Sequence, residues 1–162
     1  MIDVEKAIIA MASNAVDVVL IGGVALNLHS SAYVTYDIDF CYSRKRENLD
    51  RLASALRPFK PRLRNFPPEL PFILDAGTLV NGTVFTLETL IGDIDLLAEV
   101  PGIGDFDNVL AESEEFELFG HSLNVLSIEG LLKAKTAAGR EKDIPGIRQL
   151  EALLEAESEN DD

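Results

Sequence analysis

The chain has 162 residues, a formal charge of −14 and one cysteine, Cys41. That length is enough for one domain with a core of its own. A lone cysteine excludes an internal disulfide and fits a reducing cytoplasm, and the negative charge excludes broad, sequence-independent binding of nucleic acid. No apolar run reaches transmembrane length, and Met1–Lys6 carries no basic leader ahead of an apolar stretch, so neither a membrane span nor a signal peptide is expected. The basic residues are unevenly spread: eight of the fourteen lie between Arg44 and Arg64, and none lies between Asn65 and Leu132. Such a patch on an acidic body could hold a triphosphate or a tRNA end, or could be a solvated helix face and loop.

Taken in order, Val4, Ala7, Ile8 and Met11 recur at helical spacing and predict a helix over residues 2–14. Val18–Ile21 is entirely apolar, as a central strand buried on both faces would be. Gly22-Gly23 then makes a tight turn into a short helix that reaches His29. Glycine lets a backbone come close to a phosphate, and the amides at a helix N-terminus point at it. Asn27 on that helix could reach a phosphate or ribose, or could serve as a cap. His29 reads as a packed, hydrogen-bonded histidine. Ser30, Ser31 and Thr35 flank the loop that follows, and either serine could donate to a phosphate.

Tyr36–Phe40 reads as a second strand. Side chains alternate along a strand, so Asp37 and Asp39 share one face while Tyr36, Ile38 and Phe40 face a core. Two carboxylates held side by side repel unless a cation lies between them. A hard divalent ion with oxygen ligands, Mg²⁺ or Mn²⁺, suits that pair, and Mg²⁺ usually arrives with substrate phosphates. A phosphate cradle beside a metal-binding carboxylate pair is the minimum equipment for phosphoryl or nucleotidyl transfer. Cys41, just past the pair, reads as a buried small hydrophobe.

Further on, Leu49, Leu52, Ala53 and Leu56 predict a helix over residues 46–57, ended by Arg57-Pro58. Pro58–Pro71 holds five prolines and reads as a long loop, a natural seat for substrate choice or partner docking. Pro71–Asp75 predicts a short strand. Asn81-Gly82 signals a hairpin leading into a strand at Thr83–Leu87. Residues 92–98 predict another strand, with Asp93 and Asp95 on one face and Asp93 toward the strand's edge. Asp105 is placed to cap a short helix to about Ser113. Phe116–Val125 reads as a last hairpin, with His121 near its tip. Ser127 is the N-cap of the next helix, which carries Lys133 and Lys135 on different faces and stops at Gly139. Lys135, nearer the apolar stripe, is the better candidate for reaching a triphosphate. Asp143 is placed to pair with Arg140 or Lys142. Residues 145–156 predict a closing helix, and the acidic segment Glu155–Asp162 a disordered tail.

Gly22-Gly23, a gap of thirteen residues, Asp37-Ile38-Asp39 and the later Ile94-Asp95-Leu96 together resemble the signature of the DNA polymerase beta-like nucleotidyltransferase superfamily. The order and the run from Leu126-Ser127 through Lys135 to Arg140, Lys142 and Asp143 are most similar to small bacterial nucleotidyltransferases, including toxins of AbiEii type. The resemblance spans most of residues 17 to 150. It implies a minimal nucleotidyltransferase core: a single α/β (α+β) domain over residues 1–154, with a mixed, twisted sheet and helices mainly on one face. It further implies Mg²⁺-dependent transfer of a nucleoside monophosphate from an NTP to an acceptor hydroxyl. Asp37 and Asp39 would hold metal, and Asp95 would complete the metal site or act as base. Gly22, Gly23, Asn27 and Lys135 would bind the nucleotide. Two rival functions stand beside it: a catalytically silent nucleotide- or partner-binding half of a toxin–antitoxin pair, and an aminoglycoside-type enzyme whose acidic surface at Asp105–Glu117 attracts a polycation. The chain shows no second helical domain for the acceptor, so a tRNA end or small molecule would be met by this domain alone, or with a cognate protein partner or a second copy.

Overall fold

In the computed structural model, which describes residues 1–29 and 36–160, the first helix is fixed by its cap. Asp3 accepts the Lys6 N–H and starts α1 (Val4–Ser13), whose Ala7, Ile8 and Met11 are fully buried. Strand β1 (Val18–Ile21) is buried throughout. It runs through the turn at Gly22 into α2 (Gly22–His29). Strand β2 (Asp37–Tyr42) lies antiparallel to β1, with Ile21 opposite Asp39. Next come α3 (Arg46–Leu56) and a 3-10 turn at Arg57–Phe59, then β3 (Arg62–Leu63) and α4 (Ala76–Val80). The hairpin β4 (Val84–Thr89) and β5 (Gly92–Leu97) follows, then a small ribbon of β6 (Glu99–Val100) and β7 (Gly104–Asp105). The chain closes with α5 (Phe106–Ala111), the hairpin β8 (Ser113–Leu118) and β9 (His121–Leu126), α6 (Ile128–Ala138) and α7 (Ile144–Asn160).

The main sheet has seven strands in the order β3-β4-β5-β2-β1-β9-β8. It is mixed: β1 with β9 and β2 with β5 pair in parallel, and the other neighbours are antiparallel. Alternation along the central strands divides its faces. Ile38, Phe40, Ile94 and Leu96 are fully buried in one core with Leu49, Leu52 and Leu56 of α3 and Leu79 of α4. Asp37, Asp39, Asp93 and Asp95 occupy the intervening positions, and so share the other face.

Several expectations are corrected. Tyr36 is 69% exposed and does not join Ile38 and Phe40 in the core. Pro71–Asp75 forms no strand. Asp75 instead accepts the Thr78 N–H and caps α4. Asn81-Gly82 ends that helix and is not a hairpin turn. The β-hairpin nearby turns at Leu90-Ile91, between paired Thr89 and Gly92. The proline-rich stretch is not all loop: Arg62–Leu63 pairs with β4 and extends the sheet to its edge. The closing helix continues to Asn160, through most of the segment expected to be a disordered tail. Ser30, Ser31 and Thr35 lie outside the described residues.

One buried polar side chain ties these layers together. Asn48 on α3 is inaccessible to solvent; its Oδ1 accepts the Asp17 N–H at 2.6 Å, and its Nδ2 donates to Asp17 O at 3.1 Å and Ser43 O at 2.8 Å. It thereby joins the entry to β1 and the exit from β2. Asn48→Ala removes the partner of the Asp17 N–H and of Ser43 O, while Asp17 O keeps the Ser43 N–H, and should cost about 1–3 kcal/mol of stability, read as a lower urea midpoint at unchanged m-value.

Candidate active site

The site begins with strand register. Parallel pairing of β2 with β5 sets Asp37 beside Asp93 and Asp39 beside Asp95. Neighbouring strands are about 4.8 Å apart, so four carboxylates form a two-by-two array on one face. Ligand oxygens of Asp37, Asp39 and Asp95 all lie within 4.8 Å of one another. Burial, followed by repulsion from Asp37 and Asp95, pushes the Asp39 carboxyl up from 3.8 to about 8. Burial also raises Asp95, against the opposing hydrogen bond and charge of Arg64. Three converging hard oxygen donors fit a hard divalent cation such as Mg²⁺ or Mn²⁺, which would favour the charged form of Asp39 and Asp95.

Gly22 is shaped for this neighbour. Its φ is +71°, a left-handed conformation that costs an L side chain, and a Cβ placed there would overlap Asp39 Oδ2 and lie 3.0 Å from Asp39 Cγ. Glycine at the end of β1 thus lets α2 start directly against the carboxylate. Gly23 lies in the first turn of the same helix, where amides are unsatisfied within the helix. Asn27, on the same helix, is half-buried, whereas its neighbours Ala25 and Leu26 are fully buried. His29 packs against the β8–β9 hairpin: its Nε2 is 3.0 Å from Leu126 O and its ring meets Phe116 edge-on at 5.3 Å.

Opposite the carboxylates, α6 closes a cleft of about 390 Å³. Gly22, Asp39, Asp95 and Thr86 line one wall, and Leu131, Lys135 and Arg140 belong to the other. Lys135 Nζ is 3.4 Å from Asp143 Oδ1, and Arg140 Nε donates to Asp143 Oδ2 at 2.7 Å. Asp143 is only 3% exposed at its side chain. Burial raises its pKa, but the Arg140 hydrogen bond and the charges of Lys135 and Arg140 outweigh that, and the net position is below 3.8. Gly146 at the start of α7 lets the Lys135 stem pack closely, with Cε 3.1 Å from where a Cβ would stand. Lys133 points elsewhere and pairs with Glu112 at 2.6 Å.

Of the residues singled out in the sequence, Gly22, Asp39, Asp95 and Lys135 line this one cleft, and Asp37 joins the carboxylate cluster. Arg64 is the residue that sequence reasoning missed. Its backbone N–H donates to Thr86 O at 2.8 Å, continuing the β3–β4 pairing, and its Nη2 donates to Asp95 Oδ1 at 2.8 Å. The basic patch gave a weak signal of a cation in that stretch, but no spacing linked it to Asp95, thirty-one positions away.

No protein-family model matches the chain, and no curated protein matches it in sequence. Solved structures do match its fold. The lincomycin-bound lincosamide antibiotic adenylyltransferase LnuA aligns with a TM-score of 0.59 at 14% identity, over 94% of this chain and 99% of that one. The enzyme ANT(2″)-Ia in complex with adenylyl-2″-tobramycin aligns with a TM-score of 0.52 at 18% identity, over 97% and 95%. A nucleotidyltransferase-like protein from Paracoccidioides brasiliensis gives 0.59 at 15% identity, over 96% and 78%. The chain therefore has the α/β fold of solved nucleotidyltransferases along nearly its whole length.

Two tests follow from the geometry. Gly22→Ala forces strain at positive φ and a collision with Asp39; it should lower stability by about 1–3 kcal/mol, seen as a reduced Tm. Asp143→Asn should destabilise the protein by about 1–3 kcal/mol at pH 7, because two cations lose a buried charged partner. The folded-state pKa of Asp143 is depressed, so its contribution is complete above the ordinary 3.8 and is lost as pH falls through the folded-state value. The gap in urea midpoint between wild type and Asp143→Asn should accordingly close below pH 3.8.

Proposed function

We propose that this protein is a divalent-metal-dependent nucleotidyltransferase that moves a nucleoside monophosphate from an NTP to the hydroxyl of a small-molecule acceptor. The observation that carries the reading is the meeting of Asp37, Asp39 and Asp95 within 4.8 Å, beside the Gly22 turn and across a cleft from Lys135. The fold of LnuA and ANT(2″)-Ia, which the chain matches over almost all of its length, supports it. A fold alone does not fix a function, so the weight rests on the site. The formal charge of −14 disfavours a polyanionic acceptor such as tRNA, and the two matched enzymes are described with antibiotics of low molecular mass.

Asp37, Asp39 and Asp95 would hold the metal, which when bound polarises the phosphates and offsets their charge. The amides at Gly22 and Gly23 hold the phosphate chain against the start of α2. Asp95 accepts the proton of the acceptor hydroxyl as the new oxygen–phosphorus bond forms at the α-phosphate. The bond from the α-phosphate to pyrophosphate breaks, and Lys135 offsets the charge that develops on that leaving group.

The test is a thermal-shift scan of the four NTPs with and without Mg²⁺, on wild type and Asp39→Asn, followed by an assay of pyrophosphate release. One or more NTPs should stabilise wild type only with metal, by about 2.7 kcal/mol at one hundred times Kd. Asp39→Asn should lose that shift, and Asp95→Asn should lower turnover about 10²–10⁴-fold. Equal shifts in wild type and Asp39→Asn would overturn the reading.

A further inference from the structure

The carboxylate array is larger than the three residues a metal would use. Asp93 stands beside Asp37 and Asp95 beside Asp39 in the parallel β2–β5 pairing, so four negative charges share one face of the sheet. Asp93 and Asp95 are two apart on β5, as Asp37 and Asp39 are on β2. By geometry alone each strand offers its own pair of oxygen donors.

Arg64 breaks that equivalence. Its Nη2 lies 2.8 Å from Asp95 Oδ1 and its Nε 3.4 Å from Asp93 Oδ2, so one guanidinium spans the β5 pair. The Asp95 contact is a hydrogen bond; the Asp93 contact is a charge contact only, since Arg64 Nε is buried and makes no hydrogen bond. The guanidinium is also held in place, with Nη2 donating to Leu87 O at 3.3 Å and the backbone N–H to Thr86 O. Its side chain is 29% exposed and that of Asp95 17%, so solvent screens the Asp95 contact less than it would a surface pair. A carboxylate has two oxygens, and with Oδ1 engaged by Arg64, Asp95 still has its second for the cluster with Asp37 and Asp39.

We infer that Arg64 is a positioning residue: it occupies the β5 side of the array as a fixed cation, orients Asp95, and limits the nucleotide-free site to one divalent ion. The inference rests on the reading of Asp37, Asp39 and Asp95 as a metal centre. Its charge balance is simple. When all four carboxyl groups are ionised, they and one guanidinium leave a net −3, which one divalent ion brings to −1 and a second would reverse to +1. Without Arg64, Asp93 and Asp95 become a second bare pair, and the array has charge and donors for a second ion.

The experiment counts Mn²⁺ bound per chain by electron paramagnetic resonance, without nucleotide, in wild type, Arg64→Lys, Arg64→Gln, Arg64→Met and the double variant Arg64→Gln with Asp93→Asn. Wild type and Arg64→Lys should bind one ion. Arg64→Gln and Arg64→Met should bind two, and adding Asp93→Asn should return the count to one. Two neutral variants are included because the methionine side chain keeps the packing of the arginine stem. A wild-type count of two overturns the inference whether or not the variants fold. One ion in both neutral variants, while wild type still gains metal-dependent NTP stabilisation, overturns the inference and leaves the nucleotidyltransferase reading standing. No bound Mn²⁺ in wild type overturns both.

Discussion

The structure depends on the in-register parallel pairing of β2 with β5. Without a neutralising charge, that pairing is unfavourable on one face, because it sets Asp37 beside Asp93 and Asp39 beside Asp95. On the other face the same pairing is strongly favourable, because Ile38, Phe40, Ile94 and Leu96 are completely removed from water. Burying such side chains is worth about 1.5–3 kcal/mol each, enough to hold carboxylates together that would otherwise separate. The core thus supplies the free energy that concentrates charge at the site. Arg64 balances part of that charge, and a divalent ion would balance more.

The elements around the array are fitted to it. Antiparallel pairing of β1 with β2 brings the end of β1 beside Asp39, and Gly22 is the residue that can turn there without a side chain in the way. On the far wall, α6 follows directly from β9, the parallel neighbour of β1, so Lys135 is carried to the cleft by the same sheet that carries the carboxylates. Asp143 then holds Lys135 and Arg140 from below, at the junction of α6 and α7. The two walls of the cleft therefore carry opposite dominant sign, carboxylates on one and Lys135 with Arg140 on the other. In the function proposed above, a triphosphate would lie between those two walls.

Local signals in the chain were reliable where a local force sets the structure. Asp105 and Ser127 cap α5 and α6 because their side chains accept the N–H three residues on, and Gly139 ends α6 in the left-handed region. Val18–Ile21 and Ile94–Leu96 are strands because their apolar content leaves them nowhere else to be. Where partners lie far apart in the chain, the same signals misled. Asn81-Gly82 has hairpin chemistry, yet Asp75 caps a helix upstream and uses the dipeptide as its stop. The real hairpin at Leu90-Ile91 lacks turn residues, and its register is set by the pairing of β4 with β5. Arg62–Leu63 is a strand only because β4 presents an open edge to it.

By itself the sequence determined the carboxylate pair on β2, the glycine turn before it and the lysine helix, because each depends on alternation, helical spacing or backbone freedom within a few residues; alternation puts Asp93 and Asp95 on one face alike, and only the resemblance of Ile94-Asp95-Leu96 to a family motif singles out Asp95. The tertiary structure alone decided that Asp93 stands beside Asp37, that Arg64 returns from a proline-rich segment to span Asp93 and Asp95, and that Asp143 lies under Lys135. Those are contacts between charged groups on different elements of the fold. Their geometry is set by sheet register and helix packing, which no local pattern encodes.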